Sequence, residues 1–386
     1  MKRPIKLFSI FVSLLTIFIS EKLYSQTIDT LIDVGGYKLH FHIIKGQGTP
    51  ILFEAGGGDN GTVWNDLLKP LANITGTTLI SYDRAGFGKS TLDTNKHGIL
   101  NGIIGLETAL HKLGYDGNIL LVSHSQGGFY STLYAYRHPT KVKAAVLIDA
   151  STSCWFNDNR LAVIQHSNDI DREKFKETRP GLYYQFGDLS SNVNFIKTKL
   201  FPTSIPVIDF VSENPPFDDT VDINNWKLCH QEFVSGSSNR IGITAYGCGH
   251  YIFEDNPTLV VNAIAKEYSA TLESNQKSKI LTKAITYSTD ATNETKKKET
   301  LYRHSEDDLN SWGYALLNKG KMQEALEVFK LNVMLNPNSW NVYDSYGETL
   351  LKNGQKEEAI KMYEKSVELN PKNENGKKVL EGLNKQ

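Results

Sequence analysis

The sequence predicts an α/β fold, a mostly parallel sheet with helices on both faces and a helical cap, joined to a small all-α module. Three observations predict it. Over residues 27–268, short apolar, β-branched segments alternate with amphipathic stretches, as expected when crossover helices cover a parallel sheet. One of the apolar segments runs through Ser123-His124-Ser125-Gln126-Gly127 into a helical stretch, a sharp turn built from small residues. After residue 306, a set of positions recurs at a constant offset of 34 residues, which marks a helical repeat.

The clearest strands are 50–54, 77–82, 118–123, 144–148, 206–211 and 240–245. Several lack polar alternation, the sign of burial on both faces. Ahead of them, 28–34 and 37–43 flank Gly35-Gly36 and read as an antiparallel hairpin. Between 148 and 206 lie more residues than one crossover needs, including Trp155, Phe156, Phe175, Tyr183, Tyr184 and Phe186. Such an insertion, about 151–204, reads as a cap over a cleft.

At 386 residues the chain is long enough for two domains. Its 40% hydrophobic and 22% charged composition is that of a globular protein. A net charge of -1 supplies no field to gather phosphates, so no nucleic acid is expected as a partner and a small molecule is. Residues 1–25 have a different grammar: Lys2 and Arg3 precede an apolar run over 5–19, and Ser25 follows a short polar stretch. This reads as a signal peptide cleaved near Ser25, with export to the periplasm or beyond; an uncleaved membrane anchor is the alternative. Cys154, Cys229 and Cys248 allow at most one internal disulfide and form no metal spacing.

Residues 269–305 turn polar, and part of this stretch reads as a linker. In 306–386, Leu309, Gly313, Leu316, Gly320, Ala325, Phe329 and Pro337 recur as Tyr343, Gly347, Leu350, Gly354, Ala359, Tyr363 and Pro371. The pattern resembles two tetratricopeptide repeats. Small residues let paired helices approach and an aromatic fills the groove. Two copies rarely fold alone, so they should dock on the preceding domain, on a linker helix or on a second subunit, and they offer a surface for a protein partner.

The chemistry-bearing residues sit on the turns. Leu120 to Gly128 forms a strand, a turn and a helix start that lifts Ser125 out of the sheet, with Ser123 and Gly127 as its small neighbours. Ile51-Leu52-Phe53-Glu54-Ala55-Gly56-Gly57-Gly58 delivers a glycine turn whose amides can hold an oxyanion; Gly57 and Gln126 are the expected donors. Tyr246-Gly247-Cys248-Gly249-His250-Tyr251 places a histidine on a glycine-flanked turn after the last strand. His124 reads as an orienting residue, and Cys248 as structural rather than nucleophilic.

With these elements in place, residues 27–268 resemble the α/β-hydrolase superfamily. Tyr82-Asp83-Arg84-Ala85-Gly86-Phe87-Gly88-Lys89-Ser90 matches its D-x-x-G-x-G-x-S turn, which shapes the floor of the cleft. The resemblance implies Ser125 as nucleophile, His250 as base and a carboxylate that orients His250. Asp149, ending the strand after the nucleophile strand, is preferred for that carboxylate, and Glu213 is the alternative. The implied activity is hydrolysis of an ester or amide through an acyl-enzyme, with no cofactor. Transfer to an acceptor other than water, and an adaptor protein with a non-catalytic hydrolase fold, are the rival readings.

Overall fold

A computed structural model describes residues 26–298 and 306–383. The proposed signal segment 1–25 lies outside them.

The chain opens with a hairpin, β1 (Thr27–Asp33) and β2 (Lys38–Ile44), and continues with β3 (Ile51–Glu54), helix α1 (Asn65–Thr75), β4 (Leu79–Asp83), α2 (Ile99–Leu113), β5 (Ile119–His124), α3 (Gly127–Arg137) and β6 (Val142–Ile148). Three cap helices follow, α4 (Asp158–Asp171), α5 (Pro180–Gly187) and α6 (Leu189–Ile196). The chain then returns to the sheet through β7 (Val207–Asn214), α7 (Thr220–Ser235) and β8 (Arg240–Gly249), and ends this part with α8 (Ile252–Asp255) and α9 (Pro257–Ser269). The eight strands form one sheet in the order β1-β2-β4-β3-β5-β6-β7-β8. β1 and β2 pair antiparallel, as do β2 and β4, and the remaining neighbours pair parallel. The expected strands are all present.

β3, β4 and β5 are buried along their whole length, as their largely apolar runs without polar alternation require. Alternate residues feed two cores. Ile51, Phe53, Leu120, Val122 and Val146 pack with α1 and α9 on one face. Leu52, Leu121, Ala145 and Leu147 pack with α2 and α3 on the other.

Three findings add detail to the sequence reading. Residues Ser274–Lys298, within the expected linker, form a helix, α10. It lies along α9, burying Ile280, Ala284 and Ser288, and this thin stripe of one large and two small residues gave little hydrophobic period. The cap aromatics are largely spent on packing. Trp155 and Phe156 belong to the core with Phe129 and Trp226, and Phe175 packs edge-on against Phe186. Finally, Cys154 and Cys229 form a disulfide that ties the start of the cap segment to α7, while Cys248 is buried outside it.

The C-terminal helices are α11 (Glu306–Asn318), α12 (Met322–Leu335), α13 (Trp340–Lys352), α14 (Lys356–Leu369) and α15 (Glu374–Leu383). The repeat positions behave alike in both copies. A Cβ on Gly313 would lie 2.5 Å from the Phe329 ring, and one on Gly347 would lie 3.1 Å from Tyr363. Gly320 and Gly354 end their helices at φ of 70° and 80°, a conformation glycine adopts without strain. The first repeat docks on the sheet domain. Leu309, Trp312 and Leu316 of α11 share a core with Ile241, Ile243 and Ala245 of β8, and α12 packs against α10.

Candidate active site

Ser125 occupies the turn between β5 and α3 at φ 49°, backbone strain of the kind that a side chain lifted clear of a sheet demands. Close packing holds the turn. A Cβ on Gly127 would lie 2.6 Å from the Glu54 carbonyl and 2.7 Å from that of Ala55, and one on Gly128 would lie 2.9 Å from Ala150. Ser123, in place of the first glycine of the usual motif, is fully buried. The Ser125 amide donates to the Ile148 carbonyl at 3.2 Å, and its carbonyl accepts from the Ser151 amide at 2.8 Å, so the turn is stitched to the end of β6 on either side of Asp149.

Asp149 is the partner of His250. The His250 Nδ1–H donates to Asp149 Oδ2 at 2.7 Å. The same carboxylate accepts the Ser212 hydroxyl at 2.8 Å, and its other oxygen accepts the Ser212 amide at 3.0 Å and the Trp226 indole at 2.8 Å. Burial works to raise this carboxyl. The His250 hydrogen bond, the charges of His230 and His250 and the Ser212 amide outweigh it, and Asp149 titrates below its ordinary value. An ionised acceptor fixes the proton on Nδ1 and leaves Nε2 as the basic nitrogen. Glu213 faces elsewhere: its carboxylate accepts the Gly247 amide at 2.6 Å.

His124 supports His250 from the other side. Their ring centroids are 4.5 Å apart, and the His124 Nε2–H donates to the His250 carbonyl at 3.0 Å. Burial, then the neighbouring His250 charge, push His124 down to about 3, so it stays neutral and orients the backbone of His250. His250 thus rests on Asp149 and on His124, the residue before Ser125.

The glycine turn meets the head of α3. A Cβ on Gly57 would lie 2.9 Å from Gln126 Oε1 and 3.6 Å from Gln126 Cβ. Among the described residues, neither the Gly57 nor the Gln126 amide has a hydrogen-bond acceptor, which suits donors aimed at a reacting oxygen. The cap clasps the next residue from above. Gly58 donates its amide to Gln185 Oε1 at 3.3 Å and accepts from Arg179 at 2.9 Å. Under the cap lies a cavity of about 40 Å³ walled by Leu39, Phe87 and Leu92 as well as by Arg84, His97 and Asp188, and its lining includes none of Ser125, His250 or Gly57. Sequence reasoning missed Ser212, Trp226, Arg179 and Gln185 as neighbours of the site, because each arrives from a distant segment that carries no motif.

Residues 49–263, more than half of the chain, match the family profile described as the alpha/beta hydrolase fold. The chain belongs to the α/β-hydrolase family. A second profile, the tetratricopeptide repeat, matches residues 341–373. Among relatives of this chain, the uncharacterized protein YqjL of Bacillus subtilis (strain 168) is 24% identical over 232 residues, 60% of this chain and 88% of that protein. The non-heme chloroperoxidase CPO-A1 of Kitasatospora aureofaciens is 35% identical over 106 residues, 27% of this chain and 38% of its own length. A solved esterase from Thermogutta terrifontis aligns with a TM-score of 0.49 at 15% identity, covering 64% of this chain and 99% of the esterase.

Proposed function

We propose that the protein is an exported serine hydrolase that cleaves an ester or amide bond of a small substrate through an acyl-enzyme. The observation that carries this reading is the 2.7 Å bond from His250 to a buried, fourfold hydrogen-bonded Asp149, set beside a serine on a strained turn. In this mechanism His250 Nε2 takes the proton of Ser125 as its Oγ attacks the carbonyl carbon. The Gly57 and Gln126 amides hold the oxyanion, and the imidazolium returns the proton to the leaving group. Water, activated by the same imidazole, then releases the acyl group. Asp149 stabilises the imidazolium and holds its tautomer.

Export draws support from the N-terminal grammar and from the Cys154–Cys229 disulfide, a bond that persists in oxidising compartments. The second repeat remains available for a partner protein or another copy of the chain.

Covalent labelling tests the reading. A fluorophosphonate should label the wild-type protein and leave Ser125→Ala unlabelled, and a panel of p-nitrophenyl esters and aminoacyl amides should be turned over by the former only. Label retained on Ser125→Ala would overturn the assignment. Product formation on added alcohols or amines, in place of hydrolysis, would move the protein to acyl transfer.

A further inference from the structure

The turn that follows β4 contributes more than a floor to the cleft. Arg84 is 5% exposed, and its guanidinium spans the root of the glycine turn. Nη1 donates to the Ala55 carbonyl at 2.7 Å and to Glu54 Oε1 at 3.0 Å, while Nη2 donates to the Gly56 carbonyl. The guanidinium itself is fixed. Its carbon sits 4.8 Å from the centre of the Tyr130 ring and 5.6 Å from that of Phe87, and its partner Glu54 is held by the Tyr82 hydroxyl at 2.5 Å.

The Gly56 carbonyl and the Gly57 amide are two ends of one peptide plane, and in a trans peptide they point in opposite directions. Among the described residues there is no cis peptide bond. Holding the Gly56 oxygen against Arg84 therefore turns the Gly57 N–H away from Arg84, and Gln126 lies close to Gly57. A cation at the oxygen end also polarises the amide and makes its N–H a stronger donor. A run of three glycines has no side chains to hold such an orientation for itself.

We propose that Arg84 is a positioning residue of the oxyanion hole, locking the Gly56–Gly57 peptide so that the Gly57 amide faces the developing oxyanion. The inference rests on the serine-hydrolase reading. Arg84 touches no reacting atom and acts through a peptide bond, so it should govern stabilisation of the transition state with little effect on substrate binding.

The experiment compares the wild type with Arg84→Lys and with the double variant Glu54→Gln/Arg84→Met. The double variant removes the buried charge pair together, so no lone carboxylate is left in the core. Three quantities are read: kcat and KM on a short-chain p-nitrophenyl ester, Ki for a trifluoromethyl ketone that adds to serine as a tetrahedral adduct, and the thermal midpoint as a check on folding. A lysine ammonium keeps the charge but lacks the fork that spans two carbonyls. The expected result is a fall in kcat on the order of 10²-fold in the double variant, as for loss of an oxyanion donor, with KM within about 3-fold. The ketone Ki should weaken in parallel, and Arg84→Lys should fall between. Unchanged kcat, or a kcat loss with unchanged ketone affinity, in either folded variant would overturn the proposal. A wild type that neither hydrolyses ester nor takes the fluorophosphonate would instead sink the hydrolase reading, and the labelling of Ser125 tells these failures apart.

Discussion

Ser125 and Asp149 are the two non-glycine residues with positive φ among those described, at 49° and 44°, and the Ser125 amide and carbonyl bond to the residues on either side of the aspartate's place in the chain, Ile148 and Ser151. The strain at these two turns is therefore shared. Each turn carries its side chain off the end of a strand, β5 for the serine and β6 for the acid, and His250 bonds to the second while resting on the residue before the first.

Asp149→Asn tests the acid. The amide group can no longer accept from a His250 Nδ1–H with a full charge, and the imidazole loses the tautomer that leaves Nε2 basic. Ester hydrolysis should fall on the order of 10⁴-fold in kcat. Glu213→Gln should stay within about 2-fold, because a surface substitution away from the machinery changes little. An equal loss in both variants would reopen the choice of acid.

The disulfide between Cys154 and Cys229 closes a segment with a sequence separation of 75. Chain-entropy arguments assign such a link about 4 kcal/mol. Urea unfolding of the wild type should shift to lower midpoint when dithiothreitol is added, and Cys154→Ala/Cys229→Ala should already sit at the lower value and ignore the reductant. Activity should fall less than stability, since the Trp226 donor to Asp149 lies one helical turn before Cys229 and is also held by Trp155 and Phe217.

Glu267 on α9 supplies a pH signature. It is buried, and burial pushes its carboxyl up to about 7, against the pull of Lys321 and Lys266 and with Glu324 adding to the rise. The folded state thus keeps a proton that the unfolded state releases near 4.5. The stability this group contributes is fully present below about 4.5 and is lost as pH climbs through about 7, by up to about 3 kcal/mol. Glu267→Gln should match the wild type at pH 4 and exceed it at pH 8 in denaturant unfolding. Equal stabilities across that range would contradict the burial argument.

The two repeat glycines should differ in tolerance. At Gly313 an added methyl meets the Phe329 ring at 2.5 Å, whereas at Gly347 it meets Tyr363 at 3.1 Å. Gly313→Ala is expected to cost about 1–3 kcal/mol through overpacking, with Gly347→Ala offset in part by the helix preference for alanine. Thermal denaturation of the two single variants gives the comparison.

Much of this arrangement was legible in the sequence, for identifiable reasons. The largely apolar runs of β3, β5 and β6 announce strands buried on both faces, and the serine, glycine and histidine turns follow directly from strand ends. Asp149 was legible as the preferred strand-end carboxylate, with Glu213 as the alternative, and it is Asp149 that His250 meets in the fold. The fourfold hydrogen bonding of Asp149 was not legible, because Ser212 and Trp226 come from β7 and α7 and neither stands in a recognisable pattern. The bounds of the linker helix, α10, were not legible because the residues it buries include Ala284 and Ser288, which carry little hydrophobic signal. Arg84 lay in plain view within a known turn, but its reach to two carbonyls of another loop is a matter of packing.

The position of α11 has a consequence for the chain as a colloid. β8 ends the sheet and bonds to a neighbouring strand on one side only, and a strand in that position is a template for pairing with another molecule. The first repeat packs there, bringing Trp312 and Leu316 against the last strand and Lys319 against the Ser237 carbonyl at 3.4 Å. The repeat module thereby covers one apolar face of the very strand whose terminus leads into His250, and a chain shortened before residue 306 would lose that cover beside an unpaired strand edge.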